Sequence, residues 1–306
     1  MSDQARTDHR PVFILCPARS FSSVVCGMLG QHPELYGLPE TNFFVADTVG
    51  EVFRWFRKLG PGNLHRLDGL ARTIAQLHEG EQTEATVERA WQWLRERPDM
   101  TTAELAYHVA RRLGNRRFVE KSPSNCSEFD NLVRLYRTFH KACFLHLVRQ
   151  PRSTGKSLYE MHRRRQGKDA EAADAGNTER IENYWFKVHD RILRFTERLP
   201  ARQSIRLQGE LLLTDPDRYL RQVAEWLEVR TDAAAIEAMK HPENSPFAGI
   251  GPANARGGND RKYMEKPELR PGAPPRVNLT DPLDWMPDGS GFSPTTVALA
   301  RRFGYR

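Results

Sequence analysis
Three short turns in this chain set cations beside hydroxyl groups and backbone donors, the combination that binds anions. They are Pro17-Ala18-Arg19-Ser20-Phe21-Ser22-Ser23, Lys121-Ser122-Pro123 and Arg149-Gln150-Pro151-Arg152. Each follows an apolar run (Val12 to Cys16, Arg117 to Glu120, Lys141 to Arg149) of the length and composition of a strand, the first suited to a buried parallel one. After the first turn Val24, Val25, Met28 and Leu29 recur at helical spacing and Gly30 closes the segment. A strand that turns through Arg and Ser into a helix aims unpaired N–H groups and a positive dipole end at one spot, which favours phosphate or sulfate. Ser157, in the helical stretch after Arg149, is placed to join that guanidinium on one phosphate. Taken singly, each turn is also read as a Ser-capped helix start or a surface ion pair. Three of them at successive strand ends argue for one shared site, because open parallel sheets bind ligands beyond the carboxyl ends of their strands.

The elements that must carry these turns follow from periodicity. Gln31 to Glu40 is a turn-rich connector ending on a carboxylate. From Thr41 to Arg117 the pattern is helical and aromatic, with Leu67, Leu70, Ile74 and Leu77 on one face and Leu105, Val109 and Leu113 on another before Gly114. This insertion is expected to pack over the first strand's carboxyl end and carry part of an acceptor site; a helical subdomain with its own core is the equal alternative. Further helices are expected over Phe129 to Phe139, Ser153 to Met161, Ile181 to Leu199, Tyr219 to Leu227 and Thr295 to Phe303, with a strand at Ser204 to Gln208. Residues 166–178 read as a polar loop, and His241 to Pro294 as Pro- and Gly-rich coil or lid. Strands alternating with helices define an α/β fold around a central parallel sheet, read as one domain over 1–306 with a loose tail at 1–10.

Bulk composition narrows the class. The 306 residues are 39% hydrophobic and 28% charged, which is globular and not disordered. No apolar run reaches the roughly 18–20 residues of a membrane span, and the polar start MSDQARTDHR has no signal-peptide core, so a cytoplasmic protein is expected. Cys16, Cys26, Cys126 and Cys143 lack metal-ligand spacing and read as buried free thiols; no metal site is expected. The net charge of +7 fits an anionic partner, either nucleic acid or a multiply phosphorylated cofactor.

Together PARSFSS, GLPE, FVEKSP and LVRQPRSTGKS resemble the sulfotransferase superfamily across nearly the whole chain. HPELYGLPETNFF, LDGLARTIAQL, FVEKSPSN and FLHLVRQPRS are most similar to sulfotransferase domains of polyketide assembly lines, of the curacin and olefin synthase type. The resemblance implies a P-loop-like three-layer fold and 3′-phosphoadenosine 5′-phosphosulfate (PAPS) as donor, with PAP as product and no metal. It implies an acceptor hydroxyl on a small molecule or a carrier-tethered acyl chain, and no nucleic-acid partner. By the same resemblance Arg19, Ser20, Phe21, Ser22 and Ser23 hold the phosphosulfate, Arg149 and Ser157 the 3′-phosphate. The Gly257-Gly258-Asn259-Asp260 turn occupies a place comparable to a late Gly-Asp turn, with Gly257, Gly258 and Asn259 expected at the cofactor; Glu40 matches the acidic residue proposed as general base, and Lys121 the lysine near the transferred group or the acceptor.

Two positions depart from that pattern. Phe21 stands where Gly is usual, which the loop accommodates if φ stays negative and the ring points away from the cofactor. Gln208-Gly209-Glu210 stands where Tyr-Glu-[DN] is usual.

Sulfuryl transfer needs in-line positioning and a cation against the charge that grows on the leaving oxygen, here Arg19 with Lys121. An acceptor hydroxyl needs a base, for which Glu40 is the candidate and His32, His108 and His146 the alternatives. Tyr36, Phe43, Phe44 and Trp55 are read either as acceptor-pocket walls or as core. The rival functions are sulfonation of a carbohydrate or other metabolite, a PAP-binding but inactive homologue, a nucleic-acid-binding module and a kinase-like enzyme. For the last, Gly155-Lys156-Ser157 is only a fragment of the required motif.

Overall fold
The computed structural model describes residues 9–60, 62–166, 174–270, 278–286 and 289–306, with backbone alone at 165–166 and 174–180. Five strands, β1 (Val12–Leu15), β2 (Leu35–Gly37), β3 (Arg117–Glu120), β4 (Cys143–Val148) and β5 (Ser204–Gln208), form a sheet in the order β2-β3-β1-β4-β5. Every pairing is parallel, with Val12 opposite both Val119 and Cys143. The strands that end in the three polar turns, β3, β1 and β4, are therefore the three central neighbours, and their carboxyl ends open on one edge.

Strand alternation sorts side chains into two cores. Phe13 and Leu15 face one side with Phe118 and Phe144; Val12 and Ile14 face the other with Val119, Cys143, Leu145 and Leu147. The first face is covered by α2 (Val49–Lys58), α3 (Asp68–Glu79), α4 (Glu84–Arg95) and α5 (Thr102–Arg112), then by α6 (Phe129–Thr138) and α8 (Asp174–Thr196). The second is covered by α1 (Ser22–Leu29), α10 (Pro216–Leu227) and α11 (Ala233–Met239). Helix α7 (Pro151–Gln166) leads out of β4, the short α9 (Gly209–Thr214) follows β5, α12 (Arg261–Glu265) interrupts the late coil, and α13 (Pro294–Arg302) closes the chain. The result is three layers, helices–sheet–helices. All four cysteines are buried and unpaired, and no described helix is long and apolar enough to cross a membrane.

Several expected boundaries move. Residues 166–178 are not one loop: Gln166 ends α7 and α8 begins at Asp174, while 167–173 lie outside the described residues. The connector after α1 contains β2, whose three residues pair with Arg117, Phe118 and Val119. Arg72, 2% exposed, ties the late coil to α3 through Gly257 O (2.8 Å) and Gly249 O (3.1 Å).

Candidate active site
The first polar turn is held in an unusual backbone shape. Arg19 and Phe21 both adopt positive φ, 68° and 64°, so the expectation of a negative φ at Phe21 is not met. Left-handed backbone costs a side-chain-bearing residue about 1–3 kcal/mol and persists where surroundings over-determine it. The surroundings here are specific. The Ala18 N–H donates to Tyr184 Oη (2.9 Å), and the Phe21 ring carries the Arg149 guanidinium, whose Cζ is 4.1 Å from the ring centroid. The ring also fills the space beside Gly209, where an added Cβ would meet Phe21 Cδ2 at 2.7 Å.

Arg19 is the hub of the first and third turns. Its Nε donates to Ser157 Oγ (3.0 Å), its backbone carbonyl accepts from Arg149 Nη1 (2.6 Å), and its guanidinium is ion-paired with Asp260. Ser157 and Arg149 thus meet through Arg19, not directly. The turn that presents Arg149 is fixed from behind: Trp185 Nε1 donates to the Arg149 carbonyl (3.1 Å), and Glu210 accepts from the Gln150 N–H and the Tyr305 hydroxyl, both at 2.9 Å. Burial lowers the Arg149 guanidinium to about 10, with Glu210 opposing the shift and Arg19 adding to it; it is cationic at neutral pH.

The second turn supplies a buried cation. Lys121 has no exposed side-chain surface, and its Nζ donates to Ser23 Oγ (2.9 Å) and Glu40 Oε1 (2.8 Å). A third of the Glu40 side chain remains exposed, so the carboxylate faces outward from a buried ammonium. Ser23 Oγ also accepts the Asp260 N–H (2.9 Å), and the Glu40 N–H donates to Gly258 O (2.6 Å). Gly258 has φ 106° and packs its α-carbon against Gly69, an approach no side chain permits. Glu40, Lys121, Ser23, Arg19 and the 257–260 turn thereby form one continuous polar wall.

Glu120 is the residue that holds this wall in register. It is fully buried and accepts from Thr41 N (3.3 Å), Thr41 Oγ1 (2.9 Å), Ser122 N (3.2 Å), Asn125 Nδ2 (2.8 Å) and the Ser122 hydroxyl. Burial raises its carboxyl above the usual range while these donors pull it back. Its partners adjoin Glu40 and its own neighbour is Lys121, so Glu120 clamps together the two segments that present them. Spacing assigns no role to Glu120, Asp260, Glu210 or Tyr305: Glu120 reaches Thr41 across 79 residues, Tyr305 reaches Glu210 across 95 and Asp260 reaches Ser23 across 237.

Other candidates lie elsewhere. His32 Nε2 donates to Arg230 O (2.9 Å) in a turn, His108 meets His78 (2.8 Å) within the helical insertion, and His146 meets His189 (2.8 Å) in the core. Phe43 and Phe44 are core beneath Phe13, Trp55 meets Phe56 edge to face, and Tyr36 packs edge-on to Phe247. The wall of a 680 Å³ cavity between the insertion and the late coil is instead formed by Phe53, Trp91 and Ile250 among others, with Gly257 and Asp68 on the side toward Glu40. Gly155-Lys156-Ser157 is helical, with Gly155 against Trp285 and Lys156 exposed, and so forms no phosphate loop. Among the described residues no three His, Cys, Asp or Glu side chains gather as a metal site would require.

Comparison with known proteins agrees with this architecture. The sulfotransferase domain of the Synechococcus PCC 7002 olefin synthase is 24% identical, with 98% of each chain covered and a TM-score of 0.74. The sulfotransferase domain from the curacin biosynthetic pathway is 19% identical, covering 98% of this chain and 99% of that one at a TM-score of 0.75. A Mycobacterium avium sulfotransferase is more distant, 15% identical over 96% of this chain and 75% of its own, with a TM-score of 0.51. No curated protein matches the chain. Residues 11–233, which span β1 to α10 and all three central strand ends, match the model of the Sulfotransferase family, and the chain belongs to that family.

Proposed function
We propose that this protein transfers the sulfuryl group of PAPS to a hydroxyl on a small-molecule or carrier-tethered acyl acceptor, and that residues 1–306 work as one catalytic unit. One observation carries the reading. At the meeting of the first and third turns, Ser20 Oγ and Arg149 Nε are buried yet have no hydrogen-bond partner among the described residues. Buried polar groups are rarely left unpaired, and both stand in a cluster of cations where anionic oxygens would satisfy them. The donor set is thus the right kind for a nucleotide bearing phosphates at both ends.

PAPS, when bound, supplies an activated sulfuryl group on a phosphate leaving group. Arg19 and the turn from Ser20 to Ser23 grip that end through guanidinium, hydroxyl and backbone N–H groups. Arg149 and Ser157 take the 3′-phosphate, and Gly257-Gly258-Asn259 closes the neighbouring wall. Asp260 keeps Arg19 oriented and yields it to the ligand. Lys121 and Arg19 oppose the negative charge that develops on the leaving oxygen, in a site where fixed charges need no reorganisation. Glu40 takes the proton of the acceptor hydroxyl, held at the correct angle by Lys121 and, one residue away, by the Glu120 clamp. The exposed side of Glu40 is the direction from which an acceptor arrives.

Titration calorimetry with PAP, followed by sulfur-35 transfer from labelled PAPS into hydroxylated acceptors, tests the proposal. Absence of PAP binding by the folded protein would overturn it.

A further inference from the structure
The cavity between the insertion and the late coil, whose lining residues Asp68 and Gly257 are each one residue from a contact with the Glu40 backbone, combines two characters. Its floor is apolar, built on Phe53 and Trp91, whose rings meet edge to face at 6.0 Å, and on Ile250, 47% exposed and one of only two large hydrophobic side chains so exposed among the described residues. Its rim is cationic: Arg57 from the end of α2, Arg95 from the end of α4, Arg256 from the late coil and Arg261 at the start of α12. Arg95 and Arg261 spend their charge on Glu88 (3.2 Å) and Glu265 (2.7 Å), which do not line the cavity. The side chains of Arg57 and Arg256 have no hydrogen-bond or ion-pair partner among the described residues. The one acid in the lining, Asp68, is 7% exposed, accepts the Gly257 N–H at 2.8 Å and forms no ion pair with a rim arginine among the described residues.

Helix ends attract arginines for reasons of their own, which accounts for Arg57 and Arg95 individually. It accounts neither for Arg256, which lies in coil, nor for convergence from three separate segments on one apolar hollow. At 680 Å³ the hollow is of small-molecule size. It also adjoins the polar wall twice: Asp68 precedes Gly69, which touches the Glu40 carbonyl, and Gly257 precedes Gly258, which accepts the Glu40 N–H.

We propose that this cavity binds an amphiphilic anion: an apolar chain on Phe53, Trp91 and Ile250, with a carboxylate or phosphate gripped at the rim by Arg57 and Arg256. Taken with the sulfotransferase reading, on which this assignment of the acceptor rests, the acceptor is a hydroxylated chain that already carries negative charge before sulfonation. The charge belongs either to a free acid or to the phosphodiester of a tethering arm, and both present the same chemistry to the two guanidiniums.

The test is binding, read by calorimetry on the whole protein. Two matched pairs serve as probes: 3-hydroxydodecanoate against its methyl ester, and S-(3-hydroxydodecanoyl)phosphopantetheine against the same thioester without the phosphate. The charged member of at least one pair should bind about ten-fold tighter, and the preference should fall below about two-fold in Arg57→Gln/Arg256→Gln. A preference in the first pair identifies a carboxylate, in the second a phosphate. Both side chains are exposed, so folding should survive; Arg57→Lys/Arg256→Lys, which retains the charges, should keep most of the preference. No preference in either pair, or one that the Gln variant leaves intact, overturns the proposal. PAP titrated into the same samples reports on the nucleotide site separately: lost PAP binding with an intact anion preference would refute the sulfotransferase reading and leave the anion site standing.

Discussion
The ring of Phe21 lies over the bare α-carbon of Gly209, so close that a methyl group there would sit 2.7 Å from Phe21 Cδ2. Both residues belong to the stretches where the sequence departs from the pattern it resembles, Phe21 where Gly is usual and Gly209 within Gln208-Gly209-Glu210, where Tyr-Glu-[DN] is usual. The departures are complementary. Removing a side chain at 209 makes the room that a ring at 21 requires, and the ring repays its strained φ by packing and by carrying Arg149 on its face.

Gly209→Ala should therefore destabilise the protein by about 1–3 kcal/mol in urea titrations, the usual range for overpacking. Combined with Phe21→Gly, most of that loss should vanish, giving a coupling energy above about 0.5 kcal/mol. Strict additivity of the two changes would show that the ring and the glycine do not depend on each other.

Arg149→Ala should weaken PAP binding by about 10- to 100-fold, the loss of one or two charge-assisted hydrogen bonds, with the thermal midpoint little changed. Unchanged affinity in calorimetry would remove Arg149 from the nucleotide site.

Glu40→Gln should leave PAP affinity within about two-fold and cut turnover by about 10²–10⁴, the contribution of a positioned base. Retained turnover would exclude Glu40 from proton transfer.

Glu120→Gln acts on the clamp. The new amide must point one NH₂ group at donors that now face carboxylate oxygens, and the unpaired groups should cost about 1–3 kcal/mol. Turnover should fall while the pH at half-maximal rate stays put, because Glu120 positions the site without exchanging protons with substrate. A shifted pH profile would mean that it titrates in the reaction.

Acid should destabilise this fold through His146 and His189. Both are fully buried, and burial together with Arg206 lowers them; His189 falls to about 3, and His146 is lowered further by His189 itself. The unfolded chain takes up these protons near pH 6.5 and the folded chain refuses them. Their contribution is whole above about pH 6.5 and drains away as pH falls toward the folded values, by about 1.4 kcal/mol per pH unit for each imidazole. His189→Gln should flatten the slope between pH 6.5 and about 4.5 by about one proton's worth. An equal slope in variant and parent would contradict this.

The long apolar strands and the polar turns after them were legible because hydrophobic runs and Gly, Ser and Pro punctuation are local signals. β2 was not, since three residues between turns carry no periodicity; its place is decided by pairing with β3. The first residues of α8 are polar and lack an apolar stripe, so they read as loop. Asp260 on Arg19 and Tyr305 on Glu210 depend on chain return over long distances, which spacing cannot reveal. The aromatics show the same limit. Phe43 and Phe53 look alike in sequence and share one core, yet of the two Phe53 alone also reaches the cavity wall.

The four cysteines make the fold its own clock. Each is sealed within the interior, and for Cys16 and Cys26 burial pushes the thiol up to about 12, so neither offers thiolate to a reagent while the fold is intact. Alkylation must wait for the chain to open. The pace at which a maleimide marks this protein therefore counts openings of the sheet, and a bound nucleotide that braces the central strands would be seen as slower labelling.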